Sequence, residues 1–252
     1  MNGGYGDKMN VQRLNPNSPR YSRRLWGAWS LVALLTTPLC HAARPMLTDD
    51  ARVVDAGHCQ LESWTVKPVS GTEQWGLPAC SGGPGTEWAL GGQRVSLDGS
   101  SSTVVNGIAQ YKRMLHDLGP GGVGVAAAIG SLHIDGRAAP YFYLPISWMS
   151  PTEGTLLHLN VGRASTPLRS LADTTWGLGL EQRIGDSVWL IAERYSPSAA
   201  QWQAQAGLRW WLVPGTLQVD ATAGQQHQAA VTSRFASMGL RWIFRKPFQT
   251  GQ

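Results

Sequence analysis

Gln203-Ala204-Gln205-Ala206-Gly207-Leu208-Arg209-Trp210-Trp211-Leu212-Val213-Pro214-Gly215-Thr216-Leu217-Gln218-Val219-Asp220-Ala221-Thr222-Ala223-Gly224 alternates twice and turns once. In its first half Ala204, Ala206, Leu208, Trp210 and Leu212 share one parity, and Gln203, Gln205, Gly207, Arg209 and Trp211 the other. After Val213-Pro214-Gly215-Thr216 the pattern resumes, with Leu217, Val219, Ala221 and Ala223 set against Gln218, Asp220, Thr222 and Gly224. Successive side chains of a strand point to opposite faces, so each half is a ribbon with an apolar and a polar side. The Pro-Gly turn joins them as an antiparallel hairpin. Such ribbons occur in soluble sheets with one wet face and in membrane barrels with a lipid side and a polar lumen.

The other segments decide for the barrel. The chain has 252 residues, and the first 42 read as a leader. Arg20, Arg23 and Arg24 make a positive n-region, Leu25 to Leu35 an apolar h-region, and Cys40-His41-Ala42 a cleavage site before Ala43. Eleven apolar residues fall short of the ~20 that a spanning helix needs. The leader holds five of the 21 basic and one of the 16 acidic residues, leaving 16 against 15. The basic surplus therefore belongs to the leader, and nucleic acid is not indicated as a partner. No later stretch reaches the length of a membrane helix, so a membrane protein here is a barrel. Ten of the twelve tryptophans follow the leader, and amphipathic aromatics build barrel girdles.

Alternation and turn signals place strands near 58–66, 72–79, 86–95, 103–114, 122–134, 140–148, 154–163, 173–184, 187–195, 202–212, 217–224 and 235–244. Twelve is an even number, as bacterial single-chain barrels have. The weakest patterns are 72–79, with little alternation, and 140–148, which Pro140 and Pro145 demote toward an edge or bulge. The expected order is a leader (1–42), a periplasmic N-terminal segment (43–57), an all-β, single, transmembrane antiparallel up-and-down β-barrel (58–244) and a C-terminal extension (245–252). With both termini periplasmic, Gly185-Asp186 and Val213–Thr216 are tight turns on that side. Ala164–Ala172 and Gln225–Arg234 read as longer external loops. Asp49-Asp50 reads as a solvated turn or cap rather than a calcium site.

Cys59 and Cys80 remain after the leader, and an exported chain pairs them in its oxidising compartment. Cys59 opens the first strand and Cys80 closes the second, so the bridge lies at the periplasmic end. His58 has no second ligand at metal spacing, and no metal or cofactor is expected.

The polar parity collects Glu62, Glu87, Gln93, Asn106, Gln110, His158, Asn160, Glu181, Arg183, Glu193, Gln203, Gln205, Arg209, Gln218, Asp220 and Arg241. A lipid-facing Arg or Lys at mid-bilayer costs ~2–4 kcal/mol, so these belong to the lumen. There they brace the barrel by pairing across strands or form a selectivity ring. Gly177, Gly179, Gly207 and Gly239 share that face and relieve crowding or bend the strands. Twelve strands leave a narrow lumen, between the filled eight-stranded and the water-filled sixteen-stranded cases.

In the last strand Ala236, Met238, Leu240, Trp242 and Phe244 form the apolar face. Leu240, Trp242 and Phe244 resemble the terminal signal read by the barrel-assembly machinery, although the extension 245–252 follows them. Gly121-Gly122-Val123-Gly124 lacks the Lys-Ser/Thr ending of a nucleotide loop. No Gly-x-Ser-x-Gly elbow occurs. His158 points inward with Asn160, not a serine, two residues on, so no enzyme is expected, and an outer-membrane lipid hydrolase is a distant alternative.

Arg44-Pro45-Met46-Leu47-Thr48-Asp49-Asp50-Ala51, Cys59-Gln60-Leu61-Glu62-Ser63-Trp64, Leu77-Pro78-Ala79-Cys80, Glu87-Trp88, Leu157-His158-Leu159-Asn160-Val161-Gly162, Ala192-Glu193-Arg194 and Gly207-Leu208-Arg209-Trp210 resemble proteobacterial outer-membrane proteins labelled as transporters of the meta-pathway of phenol degradation. That resemblance implies an outer-membrane β-barrel passing small hydrophobic or aromatic compounds, with lipid as its surroundings and no catalytic residues. The sequence thus supports a narrow uptake channel or, as the alternative, a plugged barrel with a structural or external-binding role. Purified chain lacking residues 1–42 is expected to need an amphiphile to stay dispersed and to shift its gel migration on boiling. Folded monomer in plain buffer would refute the membrane reading.

Overall fold

The structure is a computed structural model that describes residues 46–99, 103–134, 136–166, 169–228 and 230–246. The leader (1–42), residues 43–45 and the end of the C-terminal extension (247–252) lie outside the described residues. Twelve strands follow in order: β1 (His58–Pro68), β2 (Gly71–Gly83), β3 (Thr86–Leu97), β4 (Thr103–His116), β5 (Val123–Ile134), β6 (Arg137–Met149), β7 (Thr155–Thr166), β8 (Arg169–Arg183), β9 (Val188–Ser198), β10 (Gln201–Val213), β11 (Leu217–Gln228) and β12 (Val231–Arg245). Each strand pairs with its neighbours in sequence, and β1 pairs with β12 from His58↔Arg245 to Pro68↔Phe235. The sheet is therefore closed and exposes no edge, as a lipid environment demands of β-structure.

Alternation sets the register. On β10 and β11, Leu208, Trp210 and Ala221 face outward while Gln205, Gln218, Asp220 and Thr222 are buried inside. Arg209 lies directly opposite Asp220 in this hairpin. The turn between them closes through Thr216 N–H donating to Val213 O (3.0 Å), with Gly215 at φ 67°, a conformation glycine adopts without steric cost. The outer wall carries Leu90, Ile129, Phe142, Leu157, Leu178 and Leu208 in the open. A continuous apolar band of this size is a surface for lipid rather than water. Trp88, Trp148, Trp210 and Trp242 stand outward near the end where β1 starts and β12 ends, called here the terminal end.

Two weak patterns became full strands. β2 is paired on both sides, with Leu77, Ala79 and Ser81 buried and Pro78 exposed. β6 holds both prolines in its interior rather than at an edge. Pro145 lacks an N–H, and pairing with β5 lapses between Val125↔Ile146 and Ala128↔Tyr143, yet the register is the same on either side. Pairing with β7 continues through Pro145↔Asn160.

The loops are a correction. Much of Ala164–Ala172 and Gln225–Arg234 is ladder, not external loop: Ala164 pairs with Asp173, and Gln225↔Arg234, Gln226↔Ser233 and His227↔Thr232 continue the β11–β12 hairpin. Polar residues mislead here because backbone pairing continues beyond the apolar band, where side chains meet water.

Cys59 and Cys80 form a disulfide across β1 and β2 with Cα atoms 4.0 Å apart. Both lie on the outward parity, between their other ladder partners Phe244 and Trp88. The bridge spans 21 residues of sequence, which on the chain-entropy model stabilises by roughly 3 kcal/mol. Cys59→Ala with Cys80→Ala is expected to lower the urea midpoint of the lipid-folded barrel by an amount of that order. Heat-modifiable migration should persist, because twelve ladders remain.

Candidate functional site

Residues 46–57 lack a period and cannot add a strand to a closed sheet. Placed inside the barrel, their backbone polar groups need partners from the lumen wall. Those partners are side chains. Glu193 accepts from Leu47 N–H (2.9 Å) and Thr48 N–H (2.7 Å). Asn160 accepts from Asp49 N–H (2.7 Å) and donates to Asp49 O (2.8 Å), a two-point grip. Ser147 Oγ accepts from Ala51 N–H (2.9 Å), and Glu87 from Val54 N–H (2.9 Å). Lys112 Nζ donates to Asp50 O (2.7 Å) and lies 2.9 Å from Asp49 Oδ2, which also accepts from Tyr143 OH (2.8 Å). Residues 46–54 are therefore a plug, not a periplasmic lead-in, and Asp49 and Asp50 are lumen ion-pair partners rather than a solvated turn.

The plug carries its own charge pair, with Arg52 Nη2 2.7 Å from Asp50 Oδ2. Burial pushes the Asp50 carboxyl up, but the Arg52 guanidinium and the Lys112 ammonium outweigh it and hold Asp50 well below the usual carboxylate range. Gly177 and Gly179 make space for the plug. A Cβ on Gly177 would stand 2.7 Å from Thr48 Oγ1, and one on Gly179 2.7 Å from Met46 Cε. The small inward residues of β5, Ala126 and Ala128, are also fully enclosed.

Around the plug the remaining polar residues bind one another. Arg209 reaches Glu181 (2.6 Å) and Asp220 (2.9 Å), and Gln218 donates to Asp220 (3.0 Å). Arg241 donates to Gln60 (2.9 Å) and stands 3.7 Å from Glu62. Gln205 donates to Glu193 (2.7 Å) and accepts from Thr222 (2.6 Å). Of the charged or polar residues singled out from the sequence, Glu62, Glu87, His158, Asn160, Glu181, Glu193, Arg209, Asp220 and Arg241 line this interior. Arg183 does not. It ends β8, donates to Glu153 O (3.2 Å) and lies 4.9 Å over the Trp189 ring, because the strand runs out before its side chain meets the lumen. Leu240, Trp242 and Phe244 lie on the apolar parity of β12, with Trp242 and Phe244 rings 4.8 Å apart.

Three plug contacts escaped the sequence. Lys112 stands two residues beyond Gln110 on the same parity and was readable from that spacing. Tyr143 and Ser147 sit in the strand whose prolines obscured its pattern. Ser147 Oγ lies 2.8 Å from His158 Nδ1, and His158 Nε2 lies 3.3 Å from Glu181 Oε1. These are the residue types of an acyl-transfer triad. All three are buried, and the Ala51 N–H caps the serine oxygen. The arrangement fixes the plug.

The plug divides the lumen. At its level the free volume is only about 50 Å³. On the side away from the termini lies a vestibule of about 220 Å³, with Leu47 in its lining and Trp64, Trp75, Tyr141, Tyr143 and Tyr195 around it. Trp64 and Trp75 stack at 5.2 Å, within 6° of parallel. On the terminal side a chamber of about 530 Å³ is lined by Arg52, Val54, Trp189, Trp211 and Arg241. Leu118, Met149, Leu156 and Trp189 cluster there, with Trp211 against them.

A family model described as uncharacterised conserved protein UCP029691 matches residues 30–243. The chain belongs to this family. No curated protein matches the sequence. Among solved structures, the KdgM porin in complex with disordered oligogalacturonate aligns over 74% of this chain and 99% of its own at 8% identity, with a TM-score of 0.58. KdgM porin alone aligns over the same shares at 8% identity, with a TM-score of 0.56. At this identity the likeness establishes the fold, which is that of outer-membrane porin barrels.

Gly177→Val is expected to push Thr48 aside and undock the plug. Trypsin, excluded from the wild-type lumen, should then cut after Arg52 at least tenfold faster, read by N-terminal mass. Equal protection in both proteins would show that the glycine does not hold space for the segment.

Proposed function

We propose that this chain is an outer-membrane barrel whose passage for small solutes is closed by residues 46–54 and opens when that segment withdraws. The observation that carries the reading is the set of five plug N–H groups, from Leu47, Thr48, Asp49, Ala51 and Val54, each held by a side chain of the wall. Hydrogen bonds to charged acceptors contribute about 1.5–3 kcal/mol each. A closed state built from several of them is strongly populated and still reversible. On this reading the leader 1–42 directs export, the β12 face with Leu240, Trp242 and Phe244 is read during barrel assembly, and the chain carries out no catalysis.

The vestibule bears on the solute. An apolar cavity of about 150 Å³ is enough to hold benzene, and the space here is about 220 Å³ with aromatic walls. KdgM holds an acidic oligosaccharide, which calls for unpaired cations. Here Lys112, Arg209 and Arg241 are each set against carboxylates. The lumen therefore suits a small neutral solute with a hydrophobic or aromatic ring, in keeping with the resemblance to phenol-pathway transporters.

In planar bilayers the wild-type barrel is expected to open rarely. Deletion of residues 46–54, or Glu87→Ala with Glu193→Ala, should raise the open fraction at least tenfold. A folded deletion variant that never shows conductance steps would leave the plugged, purely structural barrel as the better account. Proteoliposomes carrying the deletion variant should admit phenol faster than galacturonate, and the reverse order would overturn the solute class.

A further inference from the structure

Arg194 projects from the outer wall on β9, among apolar neighbours. Its ladder partners are Leu178 and Ala204. Its guanidinium nevertheless lies 6.0 Å from the Trp176 ring and 5.0 Å from the Trp202 ring. Those tryptophans sit two positions further from the terminal end on the adjacent strands, so the side chain bends toward the far rim as a snorkelling cation does. Among the described residues no carboxylate pairs with it, and cation–π contacts leave its charge available for a further partner. Below the guanidinium, an open groove of about 510 Å³ runs over Leu157, Leu159, Leu178 and Ala192. On its other side a second depression of about 420 Å³ lies over Ala204, Ala206 and Ala223. Arg234 borders that second depression as the ladder partner of its lining residue Gln225.

A cation at the interface with a shallow depression on each side, the one over Leu157 and Leu178 apolar, is complementary to a lipid whose phosphate is flanked by chains in both directions. We propose that Arg194, with Trp176 and Trp202, binds a phosphate of a multiply acylated, phosphorylated glucosamine lipid of the lipid A type, in the leaflet at the end away from the termini. The proposal rests on the outer-membrane reading above. Its warrant is charge complementarity at an arginine that no described carboxylate pairs with, together with the small residues on either side of it. Basic side chains near a membrane surface recognise anionic head groups by the same physics.

The test uses the folded full barrel in detergent and native mass spectrometry with three probes: bis-phosphorylated lipid A, its dephosphorylated form, and phosphatidylglycerol. The wild type is expected to retain bis-phosphorylated lipid A at least tenfold better than either of the others. Arg194→Gln should abolish that preference, and Ala204→Trp should weaken retention with the arginine intact by filling the second depression. Heat-modifiable migration confirms that each variant is folded. Equal retention by wild type and Arg194→Gln would overturn the proposal, as would phosphatidylglycerol binding as tightly as lipid A. A chain that stays folded and monomeric without any amphiphile would instead overturn the outer-membrane reading on which the site depends.

Discussion

A backbone segment without regular structure cannot sit inside a closed barrel unless the wall supplies its hydrogen bonds. The strands pair with one another around a closed sheet, and the partners that hold the segment are side chains of the wall. That constraint explains why Glu87 and Glu193, two carboxylates that no described arginine pairs with, are buried there. Each accepts backbone N–H groups from the plug. It also explains the asymmetry among the lumen charges. Glu181 and Asp220 have Arg209 and brace the wall, whereas Lys112 turns inward to the Asp49 carboxylate and the Asp50 carbonyl.

The same constraint organises the space. Glycines at 177 and 179 and alanines at 126 and 128 thin the wall at the level of the plug, while bulky aromatics stand above and below it. A twelve-stranded lumen is too wide to be filled by its own side chains and too narrow to admit a folded domain. A single extended segment of about nine residues fits that width.

Most of the fold was legible because period-two alternation survives in ten of the strands, and strand parity alone assigned Gln205, Arg209, Gln218 and Asp220 to the interior. β6 was harder to read since two prolines suggest an edge, and only the unbroken register with β7 shows that the ladder tolerates Pro145. The plug was not legible for a different reason. Residues 46–57 have no period, and their partners lie 33 to 146 residues away in sequence, so no local rule connects them. The nearest clue was Glu193, a lumen-parity acid whose ladder partners Gly179 and Gln205 carry no positive charge, since an unpaired carboxylate in an interior needs donors from somewhere. The loops misled in the opposite direction, because polar side chains on β11 and β12 continue a hairpin into water.

In the proposed opening, the energetics turn on what replaces the plug. Withdrawing it strips Glu87 and Glu193 of their backbone donors. In a packed core this would leave buried charges unpaired at great cost. In a barrel the departing segment vacates a column of the lumen that water can fill, and a hydrated carboxylate is satisfied as well as one bound to N–H groups. The hydrogen bonds of the closed state therefore overstate its advantage, since water takes over as donor to each carboxylate when the segment leaves. On the proposed opening, a ligand with differential affinity for the two states shifts the population between them. Leu47 and Tyr143 belong both to the vestibule lining and to the plug contacts, so a solute entering the vestibule touches the groups that hold the segment in place.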